Sequence, residues 1–154
     1  MEEQLLETWA IHNRVNLYLL DAIAPEALSG TSASKGRSVG EAFLHMHNVR
    51  LMWLKSAAPE LLEGLEKLEK EQATEKQHLH DALTTSEEAI EQLLKKSFQQ
   101  GWKIKGFKPH AVAFWGYLIS HESYHRGEIG LFLTQSGHPL EQRVSYGMGE
   151  WGTR

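Results

Sequence analysis

His121 and His125 stand four residues apart in the run His121-Glu122-Ser123-Tyr124-His125. On a helix this spacing puts two side chains one turn apart on a single face. Two imidazoles so placed can aim nitrogens at one ion, each about 2.0–2.1 Å from a zinc. Their stripe is otherwise apolar, carrying Phe114, Leu118, Ile129 and Phe132. Imidazoles buried in such a stripe need polar partners, and one shared metal serves both. The alternative is a pair of hydrogen-bonded core histidines that hold no metal.

A third ligand is needed. His45 and His47 belong to one helical segment but lie roughly 200° apart around it, so only one of them can face a given ion. His45 borders the stripe Val39, Ala42, Met46, Val49 and Trp53, beside Met52, whereas His47 lies near Phe43, Leu51 and Leu54. Periodicity leaves that choice open. His12 could support a ligand or face a substrate. His78, His80, His110 and His138 read as surface or loop residues.

Three neutral histidines leave at least one coordination position open, which is the pattern of a catalytic site. Such ligands suit zinc, nickel or iron. The open position could take a water, whose pKa then falls towards neutrality, or the thiolate of a small-molecule thiol. The same five residues spell H-E-x-x-H, the zinc-peptidase pattern, in which Glu122 acts as general base. The third histidine of its extended form is replaced by Leu131, and no strand pattern offers a sheet edge for a peptide. The peptidase reading therefore ranks low. Otherwise Glu122 orients a neighbouring side chain or sits at the rim of the site.

The elements that must position these residues are helices. Apolar residues recur at helical spacing from Glu2 to Ile23, where Leu5, Trp9, Leu19 and Ile23 share a stripe with His12 and Asn16 before Pro25. Ser29–Arg37 reads as a loop. Ser38 and Glu41 form a capping box that opens a helix to about Ala57. Glu60–Lys76 reads as a solvated helix or loop. A third core helix is expected from Thr85, capped with Glu88, and Ile90, Leu93, Leu94 and Phe98 supply its apolar face. After a break at Gly101–Lys108 the last long helix spans about Pro109–Ser136, with Gly137 just beyond it. The tail from His138 to Arg154 has too few apolar residues for another core helix. Four long helices without a strand predict an all-α, four-helix bundle within one domain, residues 1–154.

Composition bounds the function. With 154 residues and 41% hydrophobic content, the chain can bury roughly 70% of its unfolded surface, so no metal is needed merely to fold. There is no cysteine, which removes disulfides, thiolate ligands and a cysteine nucleophile. The net charge of −4 and a single basic cluster, Lys103, Lys105 and Lys108, argue against a nucleic-acid partner. No run approaches the ~18 apolar residues of a membrane span. MEEQLLETWA lacks the basic start and apolar run of a signal peptide, so the expected compartment is the cytoplasm.

Two segments carry a resemblance. Ser38-Val39-Gly40-Glu41-Ala42-Phe43-Leu44-His45-Met46 resembles the second-helix motif of the DinB/YfiT-like superfamily. Ile119-Ser120-His121-Glu122-Ser123-Tyr124-His125-Arg126-Gly127-Glu128-Ile129 resembles that of its last helix, with the core HxxxHRG. The resemblance implies a four-helix bundle holding a metal through one histidine of helix two and two of helix four. It points to His45 over His47, because the family's ligand lies seven residues after the Ser or Thr that opens helix two. It also implies metal-dependent chemistry with a low-molecular-weight thiol, such as S-transfer or isomerisation. The thiol comes from a co-substrate, as the lack of cysteine allows.

The leading expectation is thus a metal-dependent thiol S-transferase acting on a small molecule. Glu122 and Arg126 are its candidate catalytic residues, positioning substrate unless they are ordinary surface residues. A hydrolase with metal-bound water as nucleophile and a non-enzymatic metal-binding stress module are the alternatives. A homodimer is a candidate state, with Trp102, Trp115 and Trp151 as candidate apolar surface.

Overall fold

The computed structural model describes residues 1–154 and contains no strand. Four long helices make the bundle: α1 (Glu2–Asp21), α2 (Val39–Ala57), α3 (Lys76–Gln99) and α4 (Ala111–Gln135). A six-residue helix, α5 (Gln142–Gly147), follows. Each of α1 and α2 packs on both α3 and α4, while α1 and α2 lie diagonally across the bundle. No helix is long and apolar enough to cross a membrane.

The predicted start of α2 is present in full. The Ser38 hydroxyl accepts from the Glu41 amide at 3.1 Å, and Glu41 Oε2 accepts from the Ser38 amide at 2.7 Å. Gly40, in the first turn, is required by close approach. A Cβ there would lie 1.7 Å from the Ala73 carbonyl oxygen, so the turn at Lys70–Thr74 packs directly on the helix. Gly137 ends α4 with φ +86°, the left-handed conformation glycine adopts most cheaply.

Three boundaries differ from the expectation. α1 ends at Asp21 rather than Ile23. α3 begins nine residues before Thr85, at Lys76. Thr85 is not its cap: its hydroxyl donates back to the carbonyls of Asp81 and Ala82, inside the helix. The early turns were hidden because they are polar, with only Leu79, Ala82 and Leu83 buried. At α4, His110 rather than Pro109 precedes the first turn, and its Nδ1 accepts from the Ala113 amide. The tail also contributes to the core. Val144 on α5 is buried, and Gly147 lies against the Tyr18 ring.

The core has two apolar halves. One surrounds Leu19, Phe43, Met46, Leu83 and Ile129, and the other Trp9, Leu54, Ile90, Phe114 and Leu118. Between them every long helix contributes buried polar groups: His12, Asn13 and Asn16 from α1, Arg50 from α2, Ser86 from α3 and Glu122 from α4. The bundle is therefore layered as apolar, polar, apolar.

Candidate metal centre

Along α2 the buried positions are Val39, Gly40, Ala42, Phe43, Met46, His47, Arg50, Leu51 and Leu54. This stripe is rotated from the one periodicity suggested. Val49 and Trp53 are half-buried and Met52 is 54% exposed. The rotation carries His47 into the core and leaves His45 on the seam facing α4.

On that seam His45, His121 and His125 each offer one nitrogen, and all three nitrogens lie within 4.8 Å of one another. The Nε2 atoms of His121 and His125 are 3.1 Å apart. Two nitrogens on a tetrahedral zinc are separated by about 3.3 Å, given Zn–N bonds of about 2.0–2.1 Å. Only small side-chain adjustments separate this group from a metal-ligand set.

The protonation pattern fits as well. His125 Nδ1 lies 2.7 Å from Glu128 Oε1. A carboxylate only accepts, so Nδ1 carries the proton and Nε2 presents its lone pair to the site. Carboxylate–histidine–metal relays have this form. Burial, then the nearby Arg37 guanidinium, lowers the His45 pKa to about 4, while burial and the neighbouring His125 lower that of His121. Both imidazoles are therefore neutral at pH 7, as metal ligands must be. The His45 ring makes no hydrogen bond within the protein, and His121 Nδ1 is buried without a partner. The nitrogens meet each other in place of protein acceptors, which is the environment a cation would complete.

Residues 1–146 match the family model described as the DinB family. The chain belongs to the DinB family. No curated protein and no solved structure matches it.

His47, the rival ligand, is engaged elsewhere in this DinB protein. Its Nδ1 lies 3.0 Å from the Ala82 carbonyl oxygen and its Nε2 2.8 Å from that of Glu66. It ties α2 to α3 and to the segment before α3.

Glu122 is neither at a rim nor on the surface. It is fully buried, and its oxygens accept from Arg50 Nε (2.7 Å), Arg50 Nη2 (2.8 Å), Asn16 Nδ2 (2.8 Å) and His12 Nε2 (2.8 Å). Burial alone would raise its pKa, but Arg50 and then His12 hold it well below the usual carboxylate range. A carboxylate so committed is a poor proton acceptor, which argues against the H-E-x-x-H reading. Arg126 is half-buried and reaches towards α1. It donates to Asn16 Oδ1 at 2.6 Å, to Ser123 Oγ at 2.9 Å and to His12 Nδ1 at 3.3 Å. Since arginine only donates, His12 Nδ1 accepts and its Nε2–H points at Glu122. Neither Glu122 nor Arg126 hydrogen-bonds to an imidazole of the triad.

Two residues escaped the sequence reading. Arg50 is fully buried, and its five N–H groups meet five acceptors: both Glu122 oxygens, Asn13 Oδ1, the Leu83 carbonyl and Ser86 Oγ. The available signal was an arginine at i+4 from Met46 and i−4 from Leu54. Glu128, at i+3 from His125, was legible as a same-face neighbour.

Proposed function

We propose that this DinB protein is a metal-dependent enzyme that transfers a small-molecule thiol to an electrophile. The single observation that carries the reading is a convergent group of exactly one imidazole from α2 and two from α4, with no fourth protein ligand in the group. Three nitrogen ligands and an open position suit zinc, nickel or iron. A divalent ion held there would supply the positive charge that keeps a thiol sulfur anionic at neutral pH.

The chain's own residues do the rest. His45, His121 and His125 present lone pairs, and Glu128 fixes the His125 ring. The layer of Arg50, Glu122 and His12 beneath α4 holds the backbone from which both ligating histidines project. In the transfer, sulfur forms a bond to an electrophilic carbon, the leaving group departs with its bonding pair, and the thiol proton passes to solvent. A hydrolase would rely on the metal alone to acidify its water, because both nearby carboxylates are already engaged, Glu122 by Arg50 and Glu128 by His125, whereas a thiol is far more acidic to begin with. That favours the thiol reading.

The test is spectroscopic. Cobalt-substituted protein is titrated with glutathione, cysteine and 2-mercaptoethanol. A new sulfur-to-cobalt charge-transfer band, followed by metal-dependent turnover with an electrophile, is the expected result. Spectra unchanged by all three thiols would remove the reading.

A further inference from the structure

Beside the triad runs a trench that neither the metal nor the bundle core accounts for. Its upper part is a cavity of about 340 Å³ between α2 and the segment before α3, with His45 in its wall and Arg37, Asn48 and Lys67 around it. The Arg37 guanidinium makes no hydrogen bond and no ion pair, although it lies close enough to influence both His45 and His121. The other charges there are matched. Lys70 pairs with Glu41 at 3.1 Å, and Lys67 with Glu69 at 3.7 Å.

Asn48 and Lys67 also line a second cavity of about 440 Å³. Its walls are Leu51, Met52, Leu62 and Leu65, with Lys55 at its edge. Asn48 stands between the two parts and lines both. It donates to the Leu68 carbonyl at 2.9 Å and accepts from the Leu68 amide at 3.0 Å, clamping the outer wall to α2. His45 and Met52 are seven residues apart on α2, about 10 Å along its axis at about 1.5 Å per residue. The two adjoining cavities, taken together as one trench, thus place an unpaired cation, Arg37, beside the candidate metal ligands and an apolar floor two helical turns away, with Lys55 at its far edge.

We infer that the trench binds a small amphiphilic carboxylate, with its anionic head on Arg37 and its hydrocarbon body along Met52, Leu62 and Leu65. Arg37 suits this task because its planar fork matches a carboxylate in two hydrogen bonds. The chain's net charge is negative, so the local excess of cations, Arg37 beside His45 and Lys55 at the far edge, is a feature of this face and not of the whole surface. As a substrate site the trench deepens the transferase reading and rests on it. Binding there would bring the anionic end of the substrate beside the triad.

The test follows binding, not turnover. The chain has four methionines, so methyl-labelled protein gives a sparse spectrum in which exposed Met52 reports the trench and buried Met46 the core. Octanoate and its uncharged analogue octanamide are titrated into zinc-loaded and chelator-treated protein. In both forms octanoate is expected to shift Met52 saturably while Met46 stays fixed. Octanamide, and octanoate with Arg37→Gln, should each bind about tenfold or more weakly, the worth of one charge-assisted contact. Arg37 is exposed, so the variant should fold and keep its metal content. No Met52 shift, equal binding of acid and amide, or indifference to Arg37→Gln would each overturn the inference. Octanoate that binds only the zinc-loaded form and ignores Arg37→Gln would place the carboxylate on the metal, overturning the trench but leaving the metal site intact. A protein that takes up no zinc yet binds octanoate through Arg37 would sustain the trench and remove the transferase reading.

Discussion

Arg50 and Glu122 form a two-pronged ion pair, 2.7 and 2.8 Å long, in which neither residue is exposed to solvent. It joins α2 to α4 close to the candidate metal ligands on each: Arg50 follows His45 by five residues, about 1.4 turns, and Glu122 directly follows His121. Charges this deep are tolerable only when every donor and acceptor is satisfied, as here.

Glu122→Gln should therefore destabilise the protein by about 3–5 kcal/mol, since it leaves the Arg50 charge buried without its counter-ion. Urea unfolding measures this. Metal content at low temperature should stay near the wild-type level, because Glu122 is not a ligand. A loss below about 0.5 kcal/mol would show that the pair is not closed in solution.

Replacing His45, His121 or His125 by Ala should abolish stoichiometric metal, read by elemental analysis of the purified protein. His47→Ala should keep the metal but cost about 1–3 kcal/mol, through the Glu66 carbonyl it leaves without its ring partner and the buried ring it removes. Metal lost in His47→Ala with its fold intact would contradict the ligand set.

Glu128→Gln should lower metal affinity about 10–100-fold, the usual effect of removing the carboxylate behind a ligating histidine. The change should appear in competition with a chromophoric chelator. Thermal stability of the metal-free protein should change little, because Glu128 is partly exposed.

Acid should weaken the metal-free protein in two stages. His12, His45, His47 and His121 all have pKa values lowered in the folded state, by burial first of all. Their neutral forms favour folding fully above the unfolded value of about 6.5, and that contribution is lost as pH falls below it. For His45 the loss extends to its folded pKa of about 4. Glu122, also lowered, contributes above the ordinary carboxylate value, and its share is lost only at more acid pH. Melting midpoints recorded from pH 8 to pH 3 should stay flat at first, decline below about 6.5 and fall more steeply below about 4.5. A flat profile down to pH 5 would mean that these histidines are not buried neutral.

The bundle and the histidine pair were legible because they are local properties of one helix. Apolar spacing marked four helices, Ser38 with Glu41 marked the start of α2, and a separation of four put His121 and His125 on one face. Each depends only on residues a few positions apart, whose geometry the helical repeat determines. The early turns of α3 were not legible, because helix formation there is sustained by packing against α1 and α2 rather than by an apolar signal of its own.

What tertiary structure alone decided is which distant side chains meet. Helical periodicity could not choose between His45 and His47, since both lie within reach of an apolar stripe, and the sequence pointed to His45 only through the resemblance of its helix-two motif. The choice follows from the rotation of α2 about its axis, which packing against α3 and α4 imposes. The same rotation carries Arg50 inside, where Glu122 meets it across 72 positions of chain. A charged residue is read from sequence as surface because an unpaired ion is costly to bury. Only the folded chain supplies the partner that removes that cost, and so only the structure turns Glu122 from a candidate base into the counter-ion of the core.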